Sequence, residues 1–345
     1  MTAGKTAAVA MSGGVDSSVT AALLVEQGYA VRGVFMAFGQ PDLAAQIERV
    51  ETVAAALGVK LDVIDVADVF RAKVLAYFRD TYLAGRTPNP CVVCNPNVKF
   101  GRLLAAARAL GVDLLATGHY ARLDRIGERV RLLKGLDPKK DQSYFLHRLD
   151  QNQLASLLFP LGDYTKEYVR ELAAGFGIAG VHGSESQDVC FLQGTTVVDF
   201  LEGQGATGSG GEIVSTAGTV LGHHHGIHRY TIGQRRGLGI PDATPYYVVG
   251  LDAVSNRVLV GKDEELWRDS LEMRDVVWLA GKPPVLPCRL LVKIRYHHPG
   301  AVATLEASGD SGLRARFDAP QRAVAPGQFA VFYDEDEVIG GGEIV

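Results

Sequence analysis

The sequence predicts an α/β protein: a parallel sheet with helices on both sides, followed by a small central β-rich unit and a C-terminal β-barrel. Three observations predict it. Strand-like and helix-like patterns alternate through the first half of the chain. A polar, glycine-paired string, Ala10 to Ser17 (AMSGGVDS), joins the first strand to the first helix. Beyond a Gly/Ser-rich stretch at Gly203 to Gly211, short β-rich runs separated by turns replace the alternation, which is the texture of small antiparallel barrels.

Length and composition fit that reading. A chain of 345 residues with 47% apolar and 21% charged residues can bury two or three substantial cores. No apolar run reaches the roughly 18 to 20 residues of a membrane span, and Met1 to Lys5 is polar with no signal-peptide pattern, so a cytoplasmic location is expected. Four cysteines (Cys91, Cys94, Cys190, Cys288) are too few for a disulfide scaffold. A net charge of −4 argues against wholesale coating by nucleic acid and leaves room for a local basic face. Nothing suggests an extended hydrophobic interface, so a monomer is expected.

In chain order, Thr6 to Met11 reads as a buried strand. Val19, Ala22 and Leu23 then fall on one helical stripe. Tyr29 to Met36 and Lys60 to Val66 read as strands, with a helix at roughly Leu43 to Leu57 between them and another carrying Phe70, Val74, Tyr77 and Phe78 after. Gly85 to Asn97, with three prolines and three asparagines, reads as a loop. Helical spacing resumes with Phe100, Leu103, Leu104, Ala107 and Leu110. A strand at Asp113 to Thr117 leads into Gly118-His119-Tyr120. Arg129 to Leu133 reads as a short strand, Asp137 to Tyr144 as a polar turn entering a helix, and Lys166 to Phe176 as a helix. Gly183 to Asp188 is a polar loop delivering Cys190. Strands are then expected at Thr219–Leu221, Tyr246–Leu251, Arg257–Val260, Leu290–Tyr296, Ala301–Glu306, Leu313–Phe317 and Phe329–Tyr333. Asp334 to Asp336 looks like a hairpin tip. Gly281 to Pro287, with three prolines, offers a division within this half. The expected domains are therefore 1–203, 204–280 and 281–345.

The turn at Ala10 to Ser17 suits phosphate. Backbone N–H groups and a helix dipole meet there, and Gly13 and Gly14 admit close approach. Ser12, Ser17 and Ser18 add hydroxyls, and Asp16 can hold Mg2+. The Lys-Ser/Thr pair that closes a Walker A loop is missing, which argues against transfer of a terminal phosphate. A plain structural turn is the bland alternative. The string SGGVDS after an N-terminal strand resembles the PP-loop of the ATP-pyrophosphatase superfamily (adenine nucleotide α-hydrolase-like), whose members cleave ATP between the α and β phosphates to adenylate a substrate oxygen.

Cys91-Val-Val-Cys94 lacks the two further ligands a structural zinc needs. It also sits in an apparent loop rather than opening a helix, against a disulfide-oxidoreductase reading. A buried apolar pair is the bland alternative. Two loop cysteine sites beside an adenylating turn suggest sulfur transfer, one thiol carrying a persulfide and the other releasing product through a disulfide. His223-His224-His225 reads as a solvated turn rather than a metal site. Arg235-Arg236 and Arg295-Tyr296-His297-His298 are basic runs open to RNA phosphates or to solvent.

From SGGVDSS through GRTPNPCVVCN, KFG, ATGHY, LLKGLDPKKDQSYFL, LFPLG, DVCFL, YTIGQRRGLGI, YYVVGLD and APGQFAVFYDEDEVIGGGEI, nearly the whole chain resembles the bacterial tRNA-specific 2-thiouridylase family. The resemblance implies a cytoplasmic transferase that uses ATP and Mg2+ to activate the C2 oxygen of the wobble uridine in tRNAs for Glu, Gln and Lys. Sulfur relayed by carrier proteins then replaces that oxygen. It implies that Ala10, Met11, Ser12, Gly13, Gly14, Val15, Asp16 and Ser17 hold ATP phosphates, with Met36 and Gly118 near the adenosine. Cys190 would receive the persulfide sulfur and Cys94 would be its partner cysteine. Asn89, Pro90 and Cys91 would meet the target base. His119, Lys140, Asp141, Gln142, Arg295, Tyr296 and Gln328 would meet tRNA.

Three departures stand out. Cys91 replaces an Asp found in some members, and in the CxxC subtype Cys91, Cys94 and Cys190 would ligate an iron–sulfur cluster. Ala37 to Val50 is short and lacks the family's typical Trp, acidic residues and Cys. The loop before Cys190 lacks the usual lysines and Asp. Two rivals stand beside this reading: another PP-loop synthetase adenylating a small molecule, and a non-catalytic RNA-binding or iron–sulfur sensing module.

Overall fold

The structure, a computed structural model, describes residues 4–178, 189–192, 194–206, 208–309 and 312–345. Three sheets organise them. The first part of the chain runs through β1 (Thr6–Ala10), β2 (Ala30–Ala37), β3 (Lys60–Asp65) and β4 (Leu114–Ala116). The hairpin β5 (Ala121–Ile126) and β6 (Arg129–Lys134) and the short β7 (Leu157–Leu158) follow. β3-β2-β1-β4-β7 is a parallel sheet. Ala7, Ala8 and Val9 are all fully buried, because β1 is central and covered on both faces. Ala7 and Val9 point to a cluster with Ala21, Leu24, Phe35 and Val53, while Ala8 points to one with Val34, Phe100, Leu103 and Leu115. Helices Val15–Glu26 and Leu43–Ala56 accordingly cover one face, and the helix spanning 90–109 covers the other.

The chain steps from β1 outward to β2 and β3, then returns to the other side of β1 as β4. Such a reversal opens a crevice beyond the carboxyl ends of the strands, and the expected phosphate turn lies there.

The 90–109 helix corrects the sequence expectation. Gly85 to Asn97 was expected to be a loop, yet the chain is helical from Pro90: Pro90–Cys94 is α, Asn95–Leu103 is a wide π stretch, and Leu104–Ala109 is α again. Pro90 occupies the first turn, where its absent N–H costs nothing. Pro96 is tolerated because the turn widens around it and side chains serve the freed carbonyls. Asn97 Nδ2 donates to Val93 O at 2.8 Å, and Gln153 Nε2 donates to Pro96 O at 2.8 Å and Phe100 O at 3.0 Å. Gly101 completes the device, since a Cβ there would lie 2.7 Å from Pro96 O. Cys91 and Cys94 therefore stand on a helix, not in a loop.

The second sheet contains β8 (Gly211–Ser215), β9 (Val220–His224), β10 (Tyr247–Asp252) and β11 (Arg257–Gly261), ordered β10-β11-β8-β9 around Ile213, Val248, Val258 and Val260. His223 and His225 are exposed as expected for a turn, but His224 is 1% exposed. Its Nδ1 accepts from Gly226 N at 3.1 Å, and its Nε2 meets Asn256 O at 3.1 Å. Strand alternation, rather than a solvated turn, governs these histidines. Among the described residues no group of three His, Cys, Asp or Glu is placed to hold a metal.

The third sheet closes on itself. β12 (Trp267–Trp278), β13 (Cys288–Lys293), β14 (Ala301–Ser308), β15 (Gly312–Arg322), β16 (Phe329–Asp334) and β17 (Glu337–Ile344) run β12-β15-β14-β13-β16-β17, and β12 pairs back onto β17. The result is a six-stranded barrel filled by Leu271, Met273, Val292, Leu305, Ala315, Phe317 and Phe332. β17 also bonds to β6, so the β5–β6 hairpin extends the barrel's sheet into the first unit. The boundary expected at 280/281 falls inside this barrel, because β12 belongs to it and Gly281 to Pro287 is only the β12–β13 connection. Asp334 to Asp336 does form a hairpin tip, with Glu335 at φ +50°.

Candidate active site

Gly13 has φ +74°, a conformation L side chains rarely adopt, and turns the chain from β1 into the first helix. Gly14 is the N-cap of Val15–Glu26 and supplies no side-chain cap, so the first N–H groups of that helix are left for an anion. Serines brace the turn. Ser17 Oγ accepts from Ser12 N at 3.1 Å and donates to Gly14 O at 3.0 Å, and Ser18 Oγ donates to Gly14 O at 2.9 Å. Gly118 closes the crevice from β4; a Cβ there would lie 3.0 Å from the Asp16 carbonyl carbon. Met36 lies at the end of β2, half-buried against the core.

Asp16 is not left open. Lys166 Nζ donates to its two carboxylate oxygens at 2.7 and 2.8 Å, and Tyr120 OH donates to Oδ1 at 2.8 Å. The Lys166 side chain is 8% exposed. Neither Lys166 nor Tyr120 was singled out from sequence, since each lies more than a hundred residues from its carboxylate partner.

The thiols form the second part of the site. Cys94 packs among Val66, Phe70, Phe78 and Val98, together with Phe191 and Leu192, the two residues that follow Cys190. Phe191 meets Phe70 and Phe78 edge-on at 5.8 and 5.1 Å. That aromatic anchoring brings Cys190 to the 90–109 helix. All three cysteines are free. Cys94 is buried, while Cys91 and Cys190 are exposed. Burial pushes Cys94 up to about 12 and Cys190 up to about 11, and raises Cys91; the charge of Lys99 opposes the rise at each. Cys94 senses both other sulfurs. Residues 183–188, expected as the loop delivering Cys190, lie outside the described residues.

His119 joins the two parts. Its ring lies 5.8 Å from that of Phe100 on the 90–109 helix, and its Nδ1 meets Thr117 Oγ1 at 2.7 Å beside Gly118. Burial, with the charge of Lys99 second, holds His119 neutral, well below the ordinary imidazole range. Met36 packs against the cysteine cluster.

The remaining candidate contacts lie on the segment entering the 90–109 helix, in the turn at Lys140 to Gln142 and on the barrel. Asn89 N donates to Tyr77 OH at 3.3 Å. Gln328 Nε2 donates to Thr87 O and Pro88 O at 3.1 and 3.2 Å, tying the barrel to the strand of chain that enters Pro90. Arg86 pairs with Glu343 on β17 at 2.9 Å, and Glu343 pairs again with Arg274 at 2.9 Å. Asp141 is buried, its Oδ1 accepting from Gly135 N and Ser143 N at 3.1 and 3.0 Å. It shapes the Lys140–Gln142 turn, in which Gln142 Oε1 accepts from Tyr120 N at 3.1 Å. Tyr296 stacks on Phe145 at 4.5 Å, and exposed Arg295 bonds Arg322 O at 3.2 Å. Arg235 and Arg236 are exposed on the second unit, in a loop whose Gly233 would bring a Cβ within 3.0 Å of Ala323, next to Arg322.

Three family models cover the chain. A tRNA methyl transferase HUP domain matches residues 5–194, a tRNA methyl transferase PRC-barrel domain 198–262, and an aminomethyltransferase beta-barrel domain 268–344. The chain is 45% identical over 338 residues to the tRNA-specific 2-thiouridylase MnmA of Desulfotalea psychrophila, covering 98% of each. It is 48% identical over 355 residues to that of Geobacter metallireducens, covering 97% of this chain and 95% of the relative. It is 46% identical to that of Magnetococcus marinus over the full length of both.

Proposed function

Because the chain belongs to the tRNA-specific 2-thiouridylase family, we propose that it uses ATP to replace the C2 oxygen of a tRNA uridine with sulfur, acting through Cys190 and Cys94. One observation carries the reading: the segment after Cys190 packs on Cys94, on a helix that touches the crevice of the phosphate turn. A synthetase acting on a small molecule would have no use for that pairing. The target is the wobble uridine of tRNAs for Glu, Gln and Lys, and the sulfur comes from a carrier protein.

The turn suits the triphosphate of ATP. Mg2+ held at Asp16 would screen phosphate charge, and Lys166, now paired with Asp16, is the cation at hand for the pyrophosphate. Attack of the uridine C2 oxygen on the α phosphorus expels pyrophosphate and leaves AMP as a good leaving group. The terminal sulfur of a Cys190 persulfide then attacks C2, and the C–O bond breaks with its electron pair going to AMP. The Cys94 thiolate attacks the Cys190 sulfur of the resulting C2–S–S link. The S–S bond breaks towards the nucleoside, 2-thiouridine leaves, and a Cys94–Cys190 disulfide forms. The two thiols supply the two electrons that end on the thiocarbonyl sulfur, and a cellular dithiol reduces the disulfide for the next turnover. The iron–sulfur alternative finds no fitting donor set among the described residues, and no step runs through it.

The test is turnover by the full chain with tRNA, ATP, Mg2+ and a persulfide donor. AMP, pyrophosphate and 2-thiouridine are expected in equal amounts. ATP cleavage that proceeds equally without tRNA, or RNA binding with no 2-thiouridine, would overturn the reading. A further expectation concerns Lys166→Met. It leaves the Asp16 carboxylate unneutralised beside incoming phosphates, and ATP affinity measured by calorimetry should fall at least about tenfold.

A further inference from the structure

We propose that Asn95 is the positioning residue through which tRNA docking on the barrel sets the cysteine helix for sulfur transfer. The inference rests on the sulfur-transfer reading, and on tRNA meeting Tyr296 as the family resemblance implies. Its first support is an amide where packing alone would be served by a leucine. Asn95 follows Cys94 directly and is 1% exposed. Its Nδ2 donates to Phe145 O at 2.9 Å, 50 residues along the chain. Its Oδ1 is buried with no hydrogen-bond partner among the described residues. A buried acceptor left bare is destabilising, so the use of this amide lies in what its donor half holds.

The segment it holds is the second support. The short helix Ser143–Leu146 follows the Lys140–Gln142 turn directly. It is fastened to the barrel: the Phe145 ring lies 4.5 Å from that of Tyr296, on the β13–β14 connection, and Tyr144 OH donates to Phe329 O at 2.8 Å. It is fastened to the phosphate turn as well, since Gln142 N donates to Tyr120 O at 2.8 Å and Tyr120 OH reaches Asp16. Asn95 adds the bond to the cysteine helix. It stands where the α geometry of Pro90–Cys94 gives way to the π stretch Asn95–Leu103. The two geometries differ by one residue in hydrogen-bond register, so such a junction has discrete arrangements, and a change between them rotates Cys94 relative to Val98 and Phe100. A load on Tyr296 passes through the Phe145 ring to the carbonyl that Asn95 grips, and so biases that junction.

The experiment is a double-mutant cycle in the full chain with Asn95→Leu, Tyr296→Leu and the two combined, read at saturating ATP and tRNA. Asn95→Leu should slow single-turnover thiolation at least about tenfold, within the usual range of coupling between sites. Its pyrophosphate release, KM for tRNA and unfolding temperature should hold. Tyr296→Leu should raise KM for tRNA and also lower the saturated rate. The double variant should be no slower than the slower single one, because both changes break one connection. Thiolation at the wild-type rate in Asn95→Leu overturns the inference, as do rate losses that multiply in the double variant. Equal slowing of adenylation and thiolation overturns it too, being the mark of a merely structural role. Should the leucine variant fail to fold, Asn95→Asp, which sets an oxygen against Phe145 O in nearly the same volume, takes its place with the same outcomes. Hydrogen exchange of residues 90–103 needs no turnover. Adding tRNA should change it at least about threefold in the wild type and leave it unchanged in Asn95→Leu at equal tRNA occupancy; the same response in both overturns the inference. That measurement separates failure here from failure of the sulfur-transfer reading, which full activity of Cys94→Ser or Cys190→Ser would signal.

Discussion

Cys190→Ser and Cys94→Ser should each lower persulfide-dependent 2-thiouridine formation by at least about a thousandfold, and for different reasons. Residues that act as a unit lose most of the rate when either is removed. In the proposed chemistry, loss of Cys190 removes the carrier for the incoming sulfur, and loss of Cys94 removes the thiolate that resolves the C2–S–S link. The two variants should separate in what they accumulate. Cys190→Ser should stop at adenylated tRNA, and Cys94→Ser should trap tRNA covalently on the protein, visible as a band shift that a reducing agent reverses. Pyrophosphate release in the first turnover should survive in both, since the phosphate turn lies on β1 and the first helix rather than on the cysteine helix. Full 2-thiouridine yield from either variant would remove the chemistry proposed for the pair.

Glu343→Ala should cost about 3 kcal/mol of stability, a fall of roughly 5 °C in unfolding temperature. The Glu343 side chain is 8% exposed and lies between Arg86 and Arg274. Removing the carboxylate leaves two guanidiniums facing each other, and Arg86, 30% exposed, has little water to turn to. Arg274, 47% exposed, can recover hydration, which is why the expected loss lies at the low end for a broken buried pair. Activity should suffer beyond what stability explains, because Arg86 anchors the segment that carries Asn89 into the cysteine helix. Scanning calorimetry beside single-turnover rates at 20 °C checks both halves. A variant as stable as the parent would show that the triad contributes no net binding of barrel to first unit.

The phosphate turn was legible because its signal is local: SGGVDS sits between an apolar strand and a helical stripe, and nothing distant is needed to read it. β1 to β4 of the first sheet were legible for the same reason; the two-residue edge strand β7 was too short to leave a pattern. The cysteine helix was not. Its prolines and asparagines break helices by ordinary propensity, and Asn97 and Gln153 overturn that propensity by serving freed carbonyls, one of them from more than fifty residues away. β12 and β17 were also hidden. β12 is broken by a register shift near Asp275, at φ +50°, and β17 carries three adjacent glycines that read as a turn. Packing requires those glycines; a Cβ at Gly341 would lie 2.7 Å from Ala330 O and 2.6 Å from the His147 ring. Lys166 was invisible because its carboxylate partner is 150 residues away.

The double pairing of β17 has a consequence for the order in which the molecule comes into being. During synthesis the first unit emerges early and can form its sheet at once. The seam that closes the barrel, the strand that receives β6, and the carboxylate that grips Arg86 all arrive with the same late segment. Until it leaves the ribosome, the nascent chain carries a phosphate turn whose neighbouring cysteine helix still lacks its Arg86 anchor, so closing the barrel is also the step that fixes that helix's entrance.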